Sequence, residues 1–330
     1  MSWRLILFAV VLLGLMACTE PAIKPDTIDS GESDDAFVSE PVEASAEPDP
    51  DPFEAVVSQA YPELPDRLTI EALAGLPDAV NETSGLAYRN GHFWTHNDSG
   101  NDAMLFELSV SGKQINRRVH PLESANHDWE ALAQDNDHLY IADCGNNLGD
   151  RIWIQIYKLA WDELDAARDR GVVASQRLNV RLADTQPERN VHAHNNDCEA
   201  LTVVEDELWL FTKNWQNNNT RLYRLNKNAE AQQVISHAEY PVRGLVTGAD
   251  YNPQTQQLAL IGYRLGFLNL SAFIWLIPVA DGLPDWTQAS YHQIHPMGQW
   301  EAIFWHEGNL IVTRETSLLG RAQLGIIRLN

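Results

Sequence analysis

Asp128, Trp129, Glu130, Ala131, Leu132 is the stretch on which the fold turns, because it recurs. About ten residues after it comes an alternating apolar run, residues 139 to 142, that ends in polar residues. A second copy reads Asp197, Cys198, Glu199, Ala200, Leu201, followed by residues 208 to 212. Three looser copies keep the same grammar: Glu82, Thr83, Ser84, Gly85, Leu86 with residues 93 to 96; Leu245, Val246, Thr247, Gly248, Ala249 with 258 to 261; and Gln299, Trp300, Glu301, Ala302, Ile303 with 310 to 313.

The surrounding chain, from residue 67 to 330, consists of short apolar runs rich in Val, Ile, Leu, Trp and Tyr, broken by Gly, Asn and Asp. That is the pattern of an all-β chain. The copies recur at intervals of about fifty residues with one long exception, enough for a four-stranded antiparallel sheet each time and the mark of a β-propeller. The expected architecture is five blades, with a sixth hidden in residues 160 to 190 as the competing count. Residues 161 to 170, with Leu164 and Ala167 at helical spacing, predict a surface helix that accounts for the long interval. The fifth copy stops at Leu329 and Asn330, short of an outer strand. Residues 68 to 76 are expected to supply it, so that an N-terminal strand joins the last blade and closes the ring.

With 330 residues, 44% of them apolar and eleven Trp, the chain can bury a substantial core. Its formal charge of -23 and lack of a basic stripe argue against nucleic acid as a partner. At the N-terminus, Arg4 precedes an apolar run from residue 5 to 15 that is shorter than the roughly 18 residues of a membrane span. Leu15, Met16, Ala17, Cys18 is similar to a bacterial lipoprotein cleavage box. Residues 1 to 18 therefore read as a lipoprotein signal peptide, with Cys18 as the lipidated residue and the membrane as a partner through that lipid. Thr19 and Glu20 lack the Asp that marks inner-membrane retention, so this resemblance implies the outer membrane of a bacterial cell envelope. Residues 19 to 66, rich in Pro, Asp, Glu, Ser and Ala, read as a disordered acidic tether with a reach of roughly 40 Å.

In a propeller the first strand of each blade lines the central channel, and side chains two apart face the same side. Overlaying the copies puts Ser84, Glu130, Glu199, Thr247 and Glu301 at one level, with Glu82, Asp128, Asp197, Leu245 and Gln299 two residues earlier as a second channel layer. Up to six carboxylates then converge on one axis. Their repulsion and desolvation require protonation, a cation, or a hydrated channel in which water and backbone amides bond them. Oxygen-only donors favour a hard ion, Ca²⁺ ahead of Mg²⁺.

The order Ser, Glu, Glu, Thr, Glu around five blades resembles the calcium ring of the calcium-activated nucleotidases, the five-bladed apyrases, with Thr247 where that family would have a second Ser. The likeness lies in five short motifs from residue 84 onward. It implies that Ser84, Glu130, Glu199, Thr247 and Glu301 form a calcium site. Similar repeats also occur in uncharacterised secreted bacterial propellers, so nucleotide hydrolysis is one inheritance among several.

The second strands should end on the face where the first strands start. Blade one ends in Asn97, Asp98, Ser99, Gly100, Asn101 and blade two in Asp143, Cys144, Gly145, Asn146, Asn147. Lys213, Arg264 and Arg314 stand at comparable points of the others. A mouth with carboxylates over two blades and cations over three suits an anionic small molecule held by Lys213, Arg264 and Arg314. Asp98 or Asp143 would then position water, and the axial ion would neutralise developing charge. Taken singly, the same residues serve as inter-blade ion pairs and turn formers. His96, His127, His192 and His194 flank the acidic residues but lack a recognisable zinc spacing. In an oxidising compartment Cys144 and Cys198 either pair or are buried thiols, and their place at one rim of adjacent blades favours a disulfide. No nucleophile elbow, phosphate loop or HExxH motif is present.

Two functional readings follow. One is a monomeric, calcium-dependent hydrolase of phosphorylated or other anionic small molecules at the cell envelope. The other is a non-catalytic propeller that binds a protein or glycan, with Trp215 beside Asn217, Asn218 and Asn219 as an aromatic contact and the metal purely structural.

Overall fold

The computed structural model describes residues 64 to 266 and 270 to 329. The signal peptide and lipobox assigned to residues 1 to 18, and the tether as far as residue 63, lie outside them. Among the described residues no helix is long and apolar enough to cross a membrane.

The chain is all-β. Strand β1 (Arg67–Gly75) is followed by β2 (Ala87–Arg89), β3 (His92–His96), β4 (Leu105–Leu108) and β5 (Ile115–Pro121). Next come β6 (Trp129–Gln134), β7 (His138–Asp143), β8 (Trp153–Ala160), helix α1 (Trp161–Ala166), β9 (Gly171–Val173) and β10 (Gln176–Leu182). Then follow β11 (Asp197–Val204), β12 (Glu207–Lys213), β13 (Thr220–Asn226), β14 (Ala231–Val234) and β15 (Ala238–Tyr240). The chain ends with β16 (Leu245–Asn252), β17 (Gln257–Leu265), β18 (Leu270–Ala280), β19 (Leu283–Pro284), β20 (Ser290–His295), β21 (Trp300–His306), β22 (Asn309–Arg314) and β23 (Gln323–Ile327).

These strands pair as successive antiparallel meanders: β2 to β5; β6, β7, β8, β10; β11, β12, β13, β15; β16, β17, β18, β20; and β21, β22, β23. Strand β1 adds to the last of them, antiparallel to β23, and its first three residues run parallel to β20. Sharp two-residue turns close several hairpins. Asn90 with Gly91, and Glu307 with Gly308, have positive φ, as hairpins of that length demand.

The apolar core lies between meanders rather than within any one. One cluster joins Ala131, Tyr140 and Ile156 to Cys198, Leu201 and Leu210. Another joins Trp94 and Leu105 to Trp129, Leu139 and Leu159, and a third joins Ile261 and Ile274 to Trp300, Ile303 and Val312. The last meander packs back on the first through Phe93, Leu86, Ala302 and Ile311. In the third meander β12 is buried on both faces. This explains why β12 is apolar at four consecutive positions, Leu208, Trp209, Leu210 and Phe211, rather than at alternate ones.

Three local features differ from the sequence reading. The helix expected over residues 161 to 170 ends at Ala166, where Arg117 takes the carbonyls of Leu164 and Ala167 at 3.0 and 2.6 Å. The chain then turns extended, and β9 pairs parallel with β5. Residues 160 to 190 therefore contribute strands to existing sheets and, among the described residues, no sheet of their own. Third, the last residues assigned to the tether are docked: Leu64 packs on the core, and the carbonyls of Pro65 and Asp66 bond to His292 Nδ1 and Gln293 N at 2.8 Å each.

The β1 docking generates a stability prediction. Ile70 is buried and sits opposite Ile327, so Ile70→Ala should cost about 2–4 kcal/mol in urea unfolding. Leu73→Ala, on the exposed side of the same strand, should cost under about 0.5 kcal/mol. Equal costs would contradict the pairing.

Candidate functional site

Four of the five residues of the expected ring sit on bulges. In the second meander Trp129 pairs with Asp143 and Ala131 with Ala142, leaving Glu130 as the extra residue between them. Glu199 is extra between Cys198 and Ala200, Thr247 between Val246 and Gly248, and Glu301 between Trp300 and Ala302. In the first meander Ser84 directly follows the bridge between Thr83 and Asn97. A bulge re-aims the extra side chain out of the pleat. All five are buried, between 1% and 4% exposed.

The next position is always Gly or Ala, and the structure gives the reason. A Cβ on Gly85 would lie 2.7 Å from Leu132 N, and one on Gly248 would lie 2.9 Å from Glu301 O. The first strands of neighbouring meanders approach too closely for anything larger. Hydroxyls tie the same strands together: Ser84 Oγ donates to Glu130 O at 3.1 Å and Thr247 Oγ1 to Trp300 O at 2.6 Å. With its proton committed to a carbonyl, each hydroxyl oxygen keeps lone pairs for another contact.

Charge within this ring is uneven. On one side, carboxylate oxygens of Asp98, Asp128 and Glu130 all lie within 4.8 Å of one another, and Ser84 Oγ is 3.4 Å from Glu130 Oε2. A side chain on Gly145 would collide with Asp128 and Glu130, so the backbone closes over this cluster. On another side, Lys213 Nζ is 3.0 Å from Glu199 Oε1, and both residues are buried. Lys213 was assigned to the mouth as an anion-holding cation; its ammonium lies inside, against a ring carboxylate.

The second channel layer is not uniform. Glu82 Oε2 accepts from Asn101 Nδ2 at 2.6 Å, and Gln299 Nε2 donates to Glu315 Oε1 at 2.6 Å. Asp197 accepts from Asn146 N and Trp215 Nε1 at 2.6 and 2.7 Å. These three pin rim loops. Asp128 alone of that layer joins the acidic cluster.

Ladder register also separates residues that the sequence pattern equates. Asp143 pairs with Trp129 as Asn97 pairs with Thr83, so the partner of Asp143 in the first meander is Asn97, not Asp98. Both do one job: Asn97 Oδ1 accepts Glu82 N at 3.3 Å and Asp143 Oδ1 accepts Asp128 N at 3.1 Å. Asp143 is fully buried and also holds Arg151 Nη2 at 2.8 Å and His127 Nδ1 at 3.0 Å. Arg314 donates to Arg321 O at 3.1 Å and stacks 5.3 Å from the Trp300 ring centre. Arg264 is exposed near the end of β17.

The histidines and Trp215 are engaged in local structure. His96 is buried against Trp129, and burial pushes its pKa down to about 4, so it is neutral at pH 7. His194 meets Asn147 O and Asn196 N through its two nitrogens at 3.1 Å each. Trp215 stacks on His192 at 4.0 Å and has Lys213 Nζ over its ring at 5.0 Å. Cys144 and Cys198 form a disulfide between the second and third meanders. Sequence reasoning missed the bulges, the inward Lys213 and one further carboxyl, Asp250. The signal for the bulges was present in Trp129, Glu130, Ala131, where a charge interrupts an apolar run without shifting it.

Asp250 lies between first strands: its oxygens accept Trp305 N of β21 at 2.7 Å and the Thr202 hydroxyl of β11 at 3.4 Å. Desolvation, outweighing these hydrogen bonds, pushes its pKa up to about 7.

No protein-family model matches the chain, and comparison with curated proteins finds no match. Among solved structures it is similar to an exo-β-1,3-galactanase from Phanerochaete chrysosporium, with TM-score 0.49 and 13% identity over 79% of this chain and 64% of that one. The catalytic domain of a GH62 α-L-arabinofuranosidase from Coprinopsis cinerea gives 0.46 and 10% over 80% and 98%. A hydrazine synthase from Kuenenia stuttgartiensis gives 0.40 and 12% over 72% and 57%. The chain thus spans less than two thirds of the galactanase and the hydrazine synthase, and likenesses this distant carry no inference about activity.

Asp250 generates a pH prediction. Its folded pKa is raised above the unfolded value of about 4, so its contribution to stability is full below pH 4 and is lost as pH rises through 7. Asp250→Asn should therefore gain stability over the native protein progressively from pH 4 to pH 8, read from melting temperatures. A difference that stays flat over that range would contradict the burial argument.

Proposed function

We propose that the five meanders are the blades of one five-bladed β-propeller, closed by β1 as the outer strand of the last blade. The protein would be anchored by the lipid on Cys18 in the outer membrane of a bacterial cell envelope and would carry a Ca²⁺ site on its axis. Core clusters that join the first meander to the second, the second to the third, the fourth to the fifth and the fifth to the first, with Trp215 packed on Leu245 and Tyr263 between the third and fourth, support the ring. The gathering of Asp98, Asp128 and Glu130 oxygens within 4.8 Å carries the cation site.

The donor set fits a hard divalent ion. It is all oxygen, buried except for the half-buried Asp128, and includes hydroxyls whose protons are already engaged. On this reading Glu130 and Ser84 are the proposed inner ligands, Asp98 and Asp128 complete the acidic side, and Glu199, Thr247 and Glu301 close the ring. A bound Ca²⁺ would polarise a phosphoryl or carboxyl oxygen at the mouth. The reaction proposed there is hydrolysis of a phosphorylated or other anionic small molecule, with the exposed Arg264 available to its negative charge. A second reading, a non-catalytic propeller with a protein or glycan partner, is favoured by one observation: Lys213, Arg314 and Asp143 are bound within the protein.

Metal content, melting with and without chelator, and a screen of nucleotides and phosphoesters test both. One Ca²⁺ per chain is expected, with a lower melting temperature in chelator and loss of both effects in Glu130→Gln. Calcium-linked stability without turnover leaves the non-catalytic propeller. An ion-free protein that melts identically in chelator sinks the axial site.

A further inference from the structure

We propose that Lys213 is a resident cation of the axial ring, which holds a divalent ion to the Asp98 side and sets how tightly it binds. This rests on the axial cation reading above, and adds to it the Lys213 and Glu199 pair with the two aromatic rings around the ammonium.

Register supplies the argument. Counting from the rung just before each ring residue, Thr83 with Asn97 and Cys198 with Thr212, the next residue on the second strand is Asp98 in the first meander and Lys213 in the third. The same backbone position thus carries an anion on one side of the ring and a cation on another. Asp98 turns to Asp128 and Glu130. Lys213 turns to Glu199, 3.0 Å away, with both side chains 1% exposed. Its ammonium also lies 5.0 and 5.4 Å from the ring centres of Trp215 and Tyr263, whose faces favour a cation. Tyr263 and Trp215 pack together with Leu245 and Leu270, so these faces are fixed in place.

A buried carboxylate paired in this way is satisfied without metal. The positive charge beside it repels any ion that approaches from that side, and inside the protein such repulsion is weakly screened. The ring is therefore charged for one divalent ion, displaced from the third blade. Removing the ammonium takes away both the countercharge beside Glu199 and the repulsion.

Calcium titration of the full chain by calorimetry tests this, with folding checked by circular dichroism. Lys213→Gln keeps a donor for Glu199 but no charge, and it should bind Ca²⁺ about tenfold more tightly or better. Lys213→Met should do the same if folded, and Lys213→Arg, which keeps the charge, should match the native protein. An unchanged Kd in Lys213→Gln overturns the assignment while leaving the axial site standing. Binding by Lys213→Gln when the native protein binds no Ca²⁺ supports Lys213 as the resident cation and removes the native calcium site. No binding by either overturns both.

Discussion

Carboxylates held in a dry interior repel one another, and the middle of this protein is built around that repulsion. Glu130, Glu199 and Glu301 are buried on neighbouring first strands, with Asp98 and Asp128 close to the first of them. Burial favours the neutral form of each group, whereas pairing or cation binding favours the charged form. The chain answers on one side with an ammonium of its own at Glu199. The acidic side at Glu130 is where a cation from outside has the most to offer.

The backbone that creates this arrangement is the same backbone that holds the sheets together. Each bulge lifts one polar side chain out of the ladder, and the small residue after it lets the next first strand come within contact distance. Ser84 and Thr247 then bond across the gap to carbonyls of the following strand. Farther along the first strands Gln134 bonds to Tyr88, Thr202 to Tyr251 and Asp250 to Trp305, each tying one meander to another. Ser84, Thr247, Gln134, Thr202 and Asp250 are tolerated among the packed sheets because each also joins two of them.

Much of the fold was legible because it repeats. Five copies of one short motif gave the first strands, and the last copy's lack of an outer strand pointed to the apolar run at residues 68 to 76, which pairs with β23. The five aligned residues stood out for the same reason, since all occupy one slot of the motif, and all five are buried. What was not legible depends on register. A charge inside an apolar run hints at a bulge but does not give the ladder register, so the two-residue alternation sent Asp197, Glu82 and Gln299 toward the channel. They bond to rim loops instead. The equivalence of Asp143 to Asn97 rather than to Asp98, and the inward turn of Lys213, emerge only from the ladder register. A sequence pattern shows that a Lys ends a strand, but its partner 14 residues upstream appears only when the ladder is counted.

The central claim is that the axis has an acidic side ready for a cation and a side already supplied with one. Anomalous diffraction from a crystal of the protein grown with terbium, a calcium surrogate, locates the ion directly. The account predicts one strong peak within coordinating distance of Glu130 and Asp98 or Asp128, with the Lys213 and Glu199 pair intact. A peak seated on Glu199 with Lys213 displaced, or no peak on the axis at all, would contradict it.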